Sequence, residues 1–437
     1  MSSFLVKAPK KFSGTAKLPG DKSISHRAVM ISSISEGDVV ISNFLRSEDC
    51  MRTVKCFEDM GIDIEKAANG LTVKGRGLFG LRSPNDILYA GNSGTTIRLI
   101  LGILAGQPFE AVITGDESIK RRPMRRVAEP LKLMGAKIEG AHGGEFAPLT
   151  IHGGALRSIE YELPVPSAQV KSAILLAALF AEGATSVTEV VPTRDHTERM
   201  LEHFGAKIRT EGGSVFVAGR GKLKASVVDI PSDISSAAYV IAAALLLPGS
   251  DVLLKDIGVN PGRTGILDVL HRMGAFLEVS NERMISGEPI ADIRVKHSKL
   301  NGIEIGGSII PRVIDELPII ALIATRAEGD TKIIGAGELR VKESDRIAAV
   351  AGEFAKLGAH ITELPDGMII KGGTTLKGGT CESCGDHRIA MSCVVGALTA
   401  GLETTINDVD CVDTSFPGFS DLMNDLAGSK SIILKEE

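Results

Sequence analysis

Several short polar segments of this sequence stand directly before apolar runs, and the first of them has the residue types of an anion site. Residues 18–27 read LPGDKSISHR, which predicts a helix that begins near Lys22 after a Pro-Gly break, with Ser23 or Ser25 as its cap. Arg27 lies four residues after Ser23 and therefore on the same helix face. A helix N-terminus presents free N–H groups and a positive dipole end, so cations beside it predict a phosphate or carboxylate site. A capped helix with two exposed cations would show the same pattern.

Three further segments combine glycine, hydroxyls and cations. Residues 91–98 (GNSGTTIR) predict a glycine-rich turn before a helix, in which Gly94 permits close backbone approach to a ligand. Residues 120–126 (KRRPMRR) hold five cations, which fits a phosphate or carboxylate clamp and equally a solvated face. Residues 167–172 (SAQVKS) stand before the apolar run 173–180, where polar side chains need partners or a ligand. An ordinary turn and a plain helix cap are the alternatives for the first and third segments.

Two charged segments of the C-terminal half add acid–base chemistry. Residues 339–346 (LRVKESDR) place Lys342 and Arg346 one helical turn apart with Glu343 beside them. A carboxylate held among cations can move protons near an anionic substrate, and surface salt bridging is the alternative. Residues 386–388 (DHR) lead into another apolar helix. If helix starts such as these converge, they attract anions strongly, which suits a substrate pair that carries phosphates and carboxylates.

Composition and charge narrow the class of protein. The 437 residues include 49 Lys plus Arg and 54 Asp plus Glu, a net charge of −5, which argues against general nucleic-acid binding. The longest apolar run, 237–247, is too short for a bilayer span of about 20 residues. Six cysteines are too few for a disulfide scaffold, and Cys381, Cys384 and His387 lack a fourth ligand at zinc spacing. We therefore expect a cytoplasmic enzyme with no membrane, nucleic-acid, metal or cofactor partner.

The elements that must position these segments repeat along the chain. Glycines that follow a helix end and precede an alternating strand stand at positions 61, 135, 205, 274, 358 and 428. Each of them predicts a helix C-cap in the left-handed conformation, followed by a strand. The apolar runs 173–180 and 237–247 predict helices that are buried on all sides. The sequence thus predicts six α/β units with mixed sheets around buried helices, arranged as one ring or as two groups of three.

Taken together, the motifs resemble one family from end to end. The sequence is similar to the 3-phosphoshikimate 1-carboxyvinyltransferases, also called EPSP synthases. The motifs that carry the resemblance are 19–23 (PGDKS), 91–95 (GNSGT), 120–124 (KRRPM), 167–169 (SAQ), 194–197 (RDHT), 315–316 (DE), 340–346 (RVKESDR) and 386–388 (DHR). Residues 21–27 and 338–346 resemble the second, divergent class of the family, which is known for glyphosate tolerance.

The resemblance implies the enolpyruvyl transferase fold, an α/β architecture. In this fold a two-domain inside-out α/β barrel contains six βαβαββ repeats, three in each domain. One domain is implied at 20–231, and the second is made of 1–19 and 232–437. The two domains are expected to close on the substrates, with the active site in the interdomain cleft. The resemblance also implies a monomer.

The implied reaction is transfer of the enolpyruvyl group of phosphoenolpyruvate to the 5-hydroxyl of shikimate 3-phosphate, with release of phosphate, in the shikimate pathway to chorismate. The residues implied to bind shikimate 3-phosphate are Lys22, Ser23, Arg27, Ser167, Ala168, Gln169, Arg194, Asp315 and Lys342. Those implied to bind phosphoenolpyruvate are Lys22, Asn92, Gly94, Arg122, Gln169, Arg346 and Arg388. Three residues are implied to be catalytic. Asp315 takes the proton of the 5-hydroxyl, and Glu343 and Lys22 handle the proton at the methylene carbon.

Two positions depart from the pattern of the family. Gly94 stands where tolerant members often have alanine, whose methyl group crowds the inhibitor. Residues 411–417 (CVDTSFP) lack the lysine that members of the first class carry before the Thr or Ser of this motif. The related UDP-N-acetylglucosamine carboxyvinyltransferases generally use a loop cysteine, and residues 116–126 contain none. The remaining alternatives are a non-catalytic anion-binding protein of the same repeat fold and an RNA-end-processing relative.

Overall fold

The contacts of the chain group into two units in a computed structural model that describes residues 2–436. The central unit comprises Gly20–Ile230 and Met284–Glu288, and the terminal unit comprises Met1–Pro19, Pro231–Arg283 and Pro289–Glu437. The resemblance implied a boundary after Pro231, whereas the contacts put the division before that residue. They also assign the short segment Met284–Glu288 to the central unit, which no local sequence pattern predicts.

The secondary structure alternates along the chain. In chain order the strands are β1 Ser2–Val6, β2 Ser13–Lys17, β3 Glu36–Ser42, β4 Asp63–Ala67, β5 Gly70–Arg76, β6 Leu88–Tyr89, β7 Glu110–Thr114, β8 Lys137–Gly140, β9 Phe146–His152, β10 Glu160–Glu162, β11 Ala184–Thr188, β12 Ile208–Glu211, β13 Ser214–Ala218, β14 Val227–Asp229, β15 Asp251–Gly258, β16 Phe276–Ile285, β17 Glu288–Lys296, β18 Glu304–Ile305, β19 Thr331–Ile333, β20 Ile361–Leu364, β21 Gly367–Ile370, β22 Thr380–Glu382, β23 Thr404–Asn407 and β24 Ile432–Glu436. The α-helices are α1 Lys22–Ser33, α2 Glu48–Asp59, α3 Gly94–Ala105, α4 Glu117–Arg121, α5 Arg125–Leu133, α6 Ala141–Gly144, α7 Ala168–Ala178, α8 His196–His203, α9 Ile234–Leu246, α10 Gly265–Arg272, α11 Ile310–Val313, α12 Leu317–Ala324, α13 Arg346–Lys356, α14 His387–Thr399 and α15 Phe419–Ala427. Short 3-10 helices lie at Gly307–Ile309, Gly337–Val341 and Val409–Thr414.

The strands form six four-stranded sheets within residues 2–436, three in each unit. The strand orders are β14-β3-β5-β4, β6-β7-β9-β8 and β10-β11-β13-β12 in the central unit, and β16-β17-β15-β2, β18-β19-β21-β20 and β22-β23-β1-β24 in the terminal unit. In each sheet one edge strand pairs in parallel with its neighbour. Strands far apart in sequence complete three of the sheets, since β2 joins β15, β14 joins β3 and β1 joins β23. The prediction of six α/β units with mixed sheets is confirmed, and the arrangement is two groups of three.

The six repeated glycines end helices as predicted. Their φ angles are +84°, +109°, +80°, +91°, +88° and +61° in chain order, all in the region that favours glycine over residues with a Cβ. Each follows the last turn of a helix (α2, α5, α8, α10, α13 and α15), and a strand comes next. The repeated Gly therefore sets the point at which each unit changes from helix to sheet.

The helices at the centre of each unit are fully buried. All residues of α9 are buried, and α7 is buried from Val170 onward, as the apolar runs predict. Helices α3 and α7 pack closely, because a Cβ at Gly102 would lie only 2.2 Å from the carbonyl oxygen of Ala173. Burial of each large aliphatic side chain contributes about 1.5–3 kcal/mol. No helix within the described range 2–436 is long and apolar enough to cross a bilayer.

Candidate active site

Helix α1 begins at a lysine in the central unit. The side chain of Asp21, not Ser23 or Ser25, caps the helix by accepting a hydrogen bond from the Ile24 amide at 2.9 Å. The prediction of a serine cap was therefore wrong, because the carboxylate of Asp21 already occupies the cap position. Lys22 is the first helical residue, and its Nζ lies 3.1 Å from Oδ2 of Asp49. The ammonium group is thus held by a partly buried carboxylate at the start of the helix.

Arg27 is buried one turn further along α1. Its Nε donates to Thr197 Oγ1 at 2.7 Å, and its Nη2 donates to Ser172 Oγ at 2.8 Å. Its Nη1 donates to the Ser23 carbonyl at 2.9 Å. Burial lowers the pKa of Arg27 to about 10, against the opposing charge of Glu198, so the guanidinium remains charged near neutral pH. Buried serine and threonine hydroxyls therefore orient this cation.

A chain of buried polar groups joins α1 to the start of α3. His26 Nδ1 lies 2.7 Å from Thr53 Oγ1, which lies 2.7 Å from Thr96 Oγ1. The Thr96 hydroxyl donates to Ser93 Oγ at 2.7 Å, and Ser93 caps α3 by accepting from the Thr96 amide. Burial and the charges of neighbouring cations on α1 lower the pKa of His26 well below its usual value, so the imidazole is neutral. This chain, which sequence reasoning did not find, holds the helix start that carries Gly94.

The basic run 120–126 contains both a buried and several solvated cations. Arg122 is 8% exposed, and a Cβ at Gly94 would lie 3.1 Å from its Cζ and both Nη atoms. Gly94 and Arg122 are therefore neighbours, as two residues predicted for one ligand should be. Lys120 and Arg125 instead form exposed ion pairs within their own helices. The solvated-face interpretation therefore holds for part of the segment, and the clamp stays a prediction for Arg122.

The start of α7 contacts the same region of the central unit. Ser167 caps the helix by accepting from the Val170 amide, and Ala168 is the first helical residue. Gln169 accepts a hydrogen bond from Arg98 Nη1 at 2.7 Å and donates to Thr95 Oγ1 at 3.1 Å. The predicted segments 91–98 and 167–172 are thus in direct contact.

Two other residues of the central unit that are predicted to bind substrate are Asn92 and Arg194. Asn92 Oδ1 is buried and accepts no hydrogen bond from any residue within 2–436. Arg194 precedes α8 and is half-buried, and its charge helps to lower the pKa of Arg27. The positive charge of Arg194 is thus felt at Arg27.

The terminal unit contains a guanidinium surrounded by carboxylates. Arg346 is 1% exposed; its Nε donates to Asp386 Oδ2 at 2.8 Å and its Nη2 donates to Glu343 Oε2 at 2.7 Å. Its Nη1 lies 3.6 Å from Asp315 Oδ1. Burial alone would lower the pKa of Arg346, but the carboxylates of Asp386 and Glu343 outweigh it and raise the pKa above its ordinary value. Two predicted motifs therefore meet here, since Asp315 of one lies beside Glu343 and the cation Arg346 of the other.

Arg388 and Arg263 extend this carboxylate cluster. Arg388 is buried, with Nη1 3.8 Å from Glu316 Oε1. Burial opposes its charge, but Asp315 and Glu316 keep the pKa of Arg388 above its ordinary value. Arg263 Nη1 lies 3.9 Å from Asp315 Oδ2, and Arg263 Nη2 lies 3.3 Å from Asp233 Oδ1. Sequence reasoning assigned no role to Arg263 or Glu316, because an isolated charge beside a turn carries no periodic signal.

The segment without the expected lysine lies next to a histidine. Thr414 Oγ1 is 3.4 Å from Nδ1 of His387, and it also donates to the Cys411 carbonyl at 2.6 Å. Lys342, the other predicted ligand of this unit, is half-buried and directly precedes Glu343. Among residues 2–436 no group of three or more His, Cys, Asp or Glu side chains is arranged to hold a metal ion.

Comparison with known proteins identifies the family. The family model described as EPSP synthase (3-phosphoshikimate 1-carboxyvinyltransferase) matches residues 6–423. The chain belongs to the EPSP synthase family. A 3-phosphoshikimate 1-carboxyvinyltransferase of Brevibacillus brevis is 54% identical over 418 residues, which cover 96% of this chain and 98% of the relative. One of Pelotomaculum thermopropionicum is 55% identical over 412 residues, 94% of this chain and 95% of the relative.

Solved structures agree with this membership. The EPSP synthase of Acinetobacter baumannii superimposes with a TM-score of 0.89 at 45% sequence identity, over all of both chains. The enolpyruvyl transferase NikO of Streptomyces tendae superimposes with a TM-score of 0.80 at 17% identity, over 99% of this chain and 98% of the other. The second likeness concerns the fold alone. The fold is therefore the enolpyruvyl transferase fold that the resemblance implied.

Membership in the EPSP synthase family makes the chain a transferase. The reaction of the family is transfer of the enolpyruvyl group of phosphoenolpyruvate to shikimate 3-phosphate in the shikimate pathway. The predicted family and enzyme class are confirmed. The roles of individual residues in this chain stay predictions. They depend on the polar groups around Arg27 in the central unit and those around Arg346 in the terminal unit.

Proposed function

We propose that this chain transfers the enolpyruvyl group of phosphoenolpyruvate to the 5-hydroxyl of shikimate 3-phosphate. The observation that carries the proposal is the contact of Glu343 and Asp315 with the buried cation Arg346, at 2.7 and 3.6 Å. Two carboxylates beside a permanent positive charge supply the acid and the base that this addition–elimination needs. The same cation can neutralise a substrate anion, because a guanidinium keeps its proton when it is buried.

We assign the binding of shikimate 3-phosphate to residues of both units. The assigned residues are Lys22, Ser23, Arg27, Ser167, Ala168, Gln169, Arg194, Asp315 and Lys342. The buried cation Arg27 and the half-buried cation Arg194 support this set, because positive charges oppose the phosphate and carboxylate charges of the substrate. Capped helix starts at Asp21 and Ser167 add N–H groups nearby.

We assign the binding of phosphoenolpyruvate to a second set. The assigned residues are Lys22, Asn92, Gly94, Arg122, Gln169, Arg346 and Arg388. The neighbouring Gly94 and Arg122 support the assignment, because a glycine leaves room for an anion beside the guanidinium.

The proton transfers follow from the assigned roles. Glu343, with Lys22, donates a proton to the methylene carbon of phosphoenolpyruvate, and the 5-hydroxyl oxygen adds to the neighbouring carbon as Asp315 takes the hydroxyl proton. A tetrahedral intermediate results, and it loses phosphate as a proton leaves the methyl group for Glu343 or Lys22. Fixed cations stabilise the charge that develops on the phosphate and carboxylate groups. Water must be excluded while the intermediate exists.

The experiment is phosphate release from phosphoenolpyruvate with shikimate 3-phosphate as acceptor, with UDP-N-acetylglucosamine as acceptor in a parallel assay. We expect release only with shikimate 3-phosphate. Glu343→Gln should lower kcat by about 10²–10⁴-fold, because it removes the proton but keeps the shape. Glu278→Gln, at an exposed position of β16, is the matched control and should retain full turnover. Near-full turnover of Glu343→Gln would refute the acid–base assignment.

We further propose that the enzyme is a cytoplasmic monomer. Six free thiols and no disulfide among the described residues support a reducing compartment. Light scattering after size-exclusion chromatography should give a mass near 46.0 kDa. A mass near twice that value would refute the monomer.

A further inference from the structure

The guanidinium of Arg27 is oriented by two hydroxyl groups to which the family resemblance assigns no role. Thr197 and Ser172 are both 0% exposed, and they accept the Nε and Nη2 protons of Arg27 at 2.7 and 2.8 Å. The Thr197 hydroxyl in turn donates to Ser172 Oγ at 2.7 Å. Arg27, Thr197 and Ser172 therefore form a closed, buried triangle, which we call the Arg27 triangle.

The Arg27 triangle determines which N–H groups of the guanidinium remain for a ligand. Nε and Nη2 form one side of the planar, fork-shaped guanidinium group, and this side donates hydrogen bonds to the two hydroxyls. One proton of Nη1 goes to the Ser23 carbonyl at 2.9 Å. Of five N–H groups, three are thus used within the described chain, and one remains on each Nη atom. These two N–H groups are therefore left for a ligand, and the two Nη atoms of a guanidinium can together bind two oxygens of a carboxylate or phosphate.

A second contact already joins the two helices that supply the hydroxyls. Lys171 on α7 lies 2.6 Å from Glu198 on α8 and 2.6 Å from Glu189, with the lysine side chain 1% exposed. On α8, His196 Nδ1 lies 2.7 Å from Oε1 of Glu288. The Lys171–Glu198 ion pair therefore joins α7 to α8, so the hydroxyls are not the sole link between the two helices.

We propose that Thr197 and Ser172 are positioning residues, which turn the end of the Arg27 fork toward an oxyanion of shikimate 3-phosphate. The inference rests on the proposed role of Arg27 in binding that substrate. Without the Thr197 hydroxyl, the Nε–H of Arg27 has no hydrogen-bond acceptor, and the guanidinium group rotates toward another acceptor. The bidentate geometry is then lost, while phosphoenolpyruvate, assigned to other residues, is bound as before.

The test is Thr197→Val, which keeps the shape of the side chain and removes its hydroxyl. We expect about a tenfold rise in the KM for shikimate 3-phosphate and in its Kd measured by calorimetry, because a hydrogen bond to a charged group is lost. The KM for phosphoenolpyruvate should change less than about threefold. Thr197→Ser, which keeps the hydroxyl, should restore the KM and the Kd for shikimate 3-phosphate. The matched control is Thr185→Val, a buried threonine of β11 whose hydroxyl accepts only a 3.4 Å bond from the Ile159 amide, and it should leave KM unchanged.

A double-variant comparison separates positioning from a general loss of structure. In an Arg27→Ala background, Thr197→Val should weaken binding of shikimate 3-phosphate no further, because the group that it orients is gone. An equal loss in that background, or no loss in the single variant, would refute the inference and leave the proposed function intact. If Arg27→Ala leaves the Kd unchanged, both the Arg27 assignment and the inference are wrong. If the unaltered chain does not bind shikimate 3-phosphate at all, the proposed function itself has failed.

Discussion

At the residue scale, the buried arginines of the two units have opposite kinds of partners. Arg27 is held by hydroxyls and a carbonyl, whereas Arg346 contacts three carboxylates. Neutral partners leave the charge of Arg27 for a ligand, while carboxylates beside Arg346 keep acid–base groups at a defined place. This contrast fits substrate binding by the groups around Arg27 and proton transfer by the groups around Arg346.

Gly94→Ala tests the contact between the α3 start and Arg122. The new Cβ would lie 3.1 Å from three guanidinium atoms, so the end of the arginine side chain must move by a few tenths of an ångström. We expect the KM for phosphoenolpyruvate to rise about 3–10-fold, with the KM for shikimate 3-phosphate unchanged, because one cation of the assigned set is displaced. Steady-state kinetics with each substrate varied in turn measures both values.

The matched control for Gly94→Ala is Gly352→Ala in α13. A Cβ at Gly352 would meet no atom within 4 Å, so only the helix propensity changes. The control should raise the free energy of unfolding by up to about 1 kcal/mol and leave both KM values alone. An unchanged KM for phosphoenolpyruvate in Gly94→Ala would contradict the assignment of Arg122.

At the scale of elements, the predicted site segments lie at capped helix starts. Asp21 caps α1, Ser93 caps α3 and Ser167 caps α7 in the central unit. Asp345 caps α13 and Asp386 caps α14 in the terminal unit. Each cap stabilises its helix by about 1 kcal/mol and so fixes where the first turn lies. A functional residue in that first turn inherits the fixed position.

The buried polar chain between α1 and α3 makes stability depend on pH. Burial lowers the pKa of His26 below the value of about 6.5 in the unfolded chain, so the unfolded state takes up a proton first as the pH falls. The contribution of the neutral His26 to the free energy of unfolding is fully present above pH about 6.5 and declines as the pH falls below it. We expect His26→Asn, which keeps a polar group near the Nδ1 position, to flatten this decline.

Denaturant unfolding of both proteins between about pH 5 and 8 measures the effect. His360→Asn, at an exposed position, is the control and should follow the unaltered protein. The variant will also be less stable at neutral pH, because the smaller side chain leaves a cavity. Equal slopes for His26→Asn and the unaltered protein would show that His26 does not cause the decline.

At the scale of the whole molecule, the chain passes between its two units at four places. These lie after Pro19, Ile230, Arg283 and Glu288. The last two enclose a short segment where β16 ends and β17 begins, and in it Glu288 is buried beside His196 at the start of α8. Arg199 donates to the Gly287 carbonyl, and the Asp229 amide donates to Ser286 Oγ. A segment distant in sequence thus completes the surroundings of α8.

Glu288→Ala removes the carboxylate from this buried pair. We expect the free energy of unfolding to fall by about 1–3 kcal/mol, because the buried Nδ1 of His196 loses its hydrogen-bond partner. Glu288→Gln should lose less, since an amide oxygen can still accept a hydrogen bond from the ring. Chemical unfolding followed by circular dichroism measures both.

Glu282→Ala, at an exposed position of β16, is the control for the Glu288 variants and should change stability by less than about 0.5 kcal/mol. A similarly small effect of Glu288→Ala would mean that the segment Met284–Glu288 does not stabilise α8.

Local features of this protein could be predicted from its sequence because they depend on neighbouring residues. Helix ends, the left-handed glycines, the buried apolar helices and the polar segments at helix starts all follow from interactions within about one turn or one hairpin. The serine cap of α1 is an exception, since several capping residues compete within the same segment.

Contacts between distant residues were decided only by the tertiary structure. Thr197 lies 170 positions from the Arg27 that it orients, and Asp386 lies 40 positions from Arg346. The hairpin segment beside α8 and the completion of one sheet by both β1 and β24 depend on strand register and helix packing over the whole fold. Spacing along the chain carries no record of such contacts, because they arise when elements far apart in sequence pack around one core. The family motifs predicted which groups react, and the packed core determined what holds each of them in place.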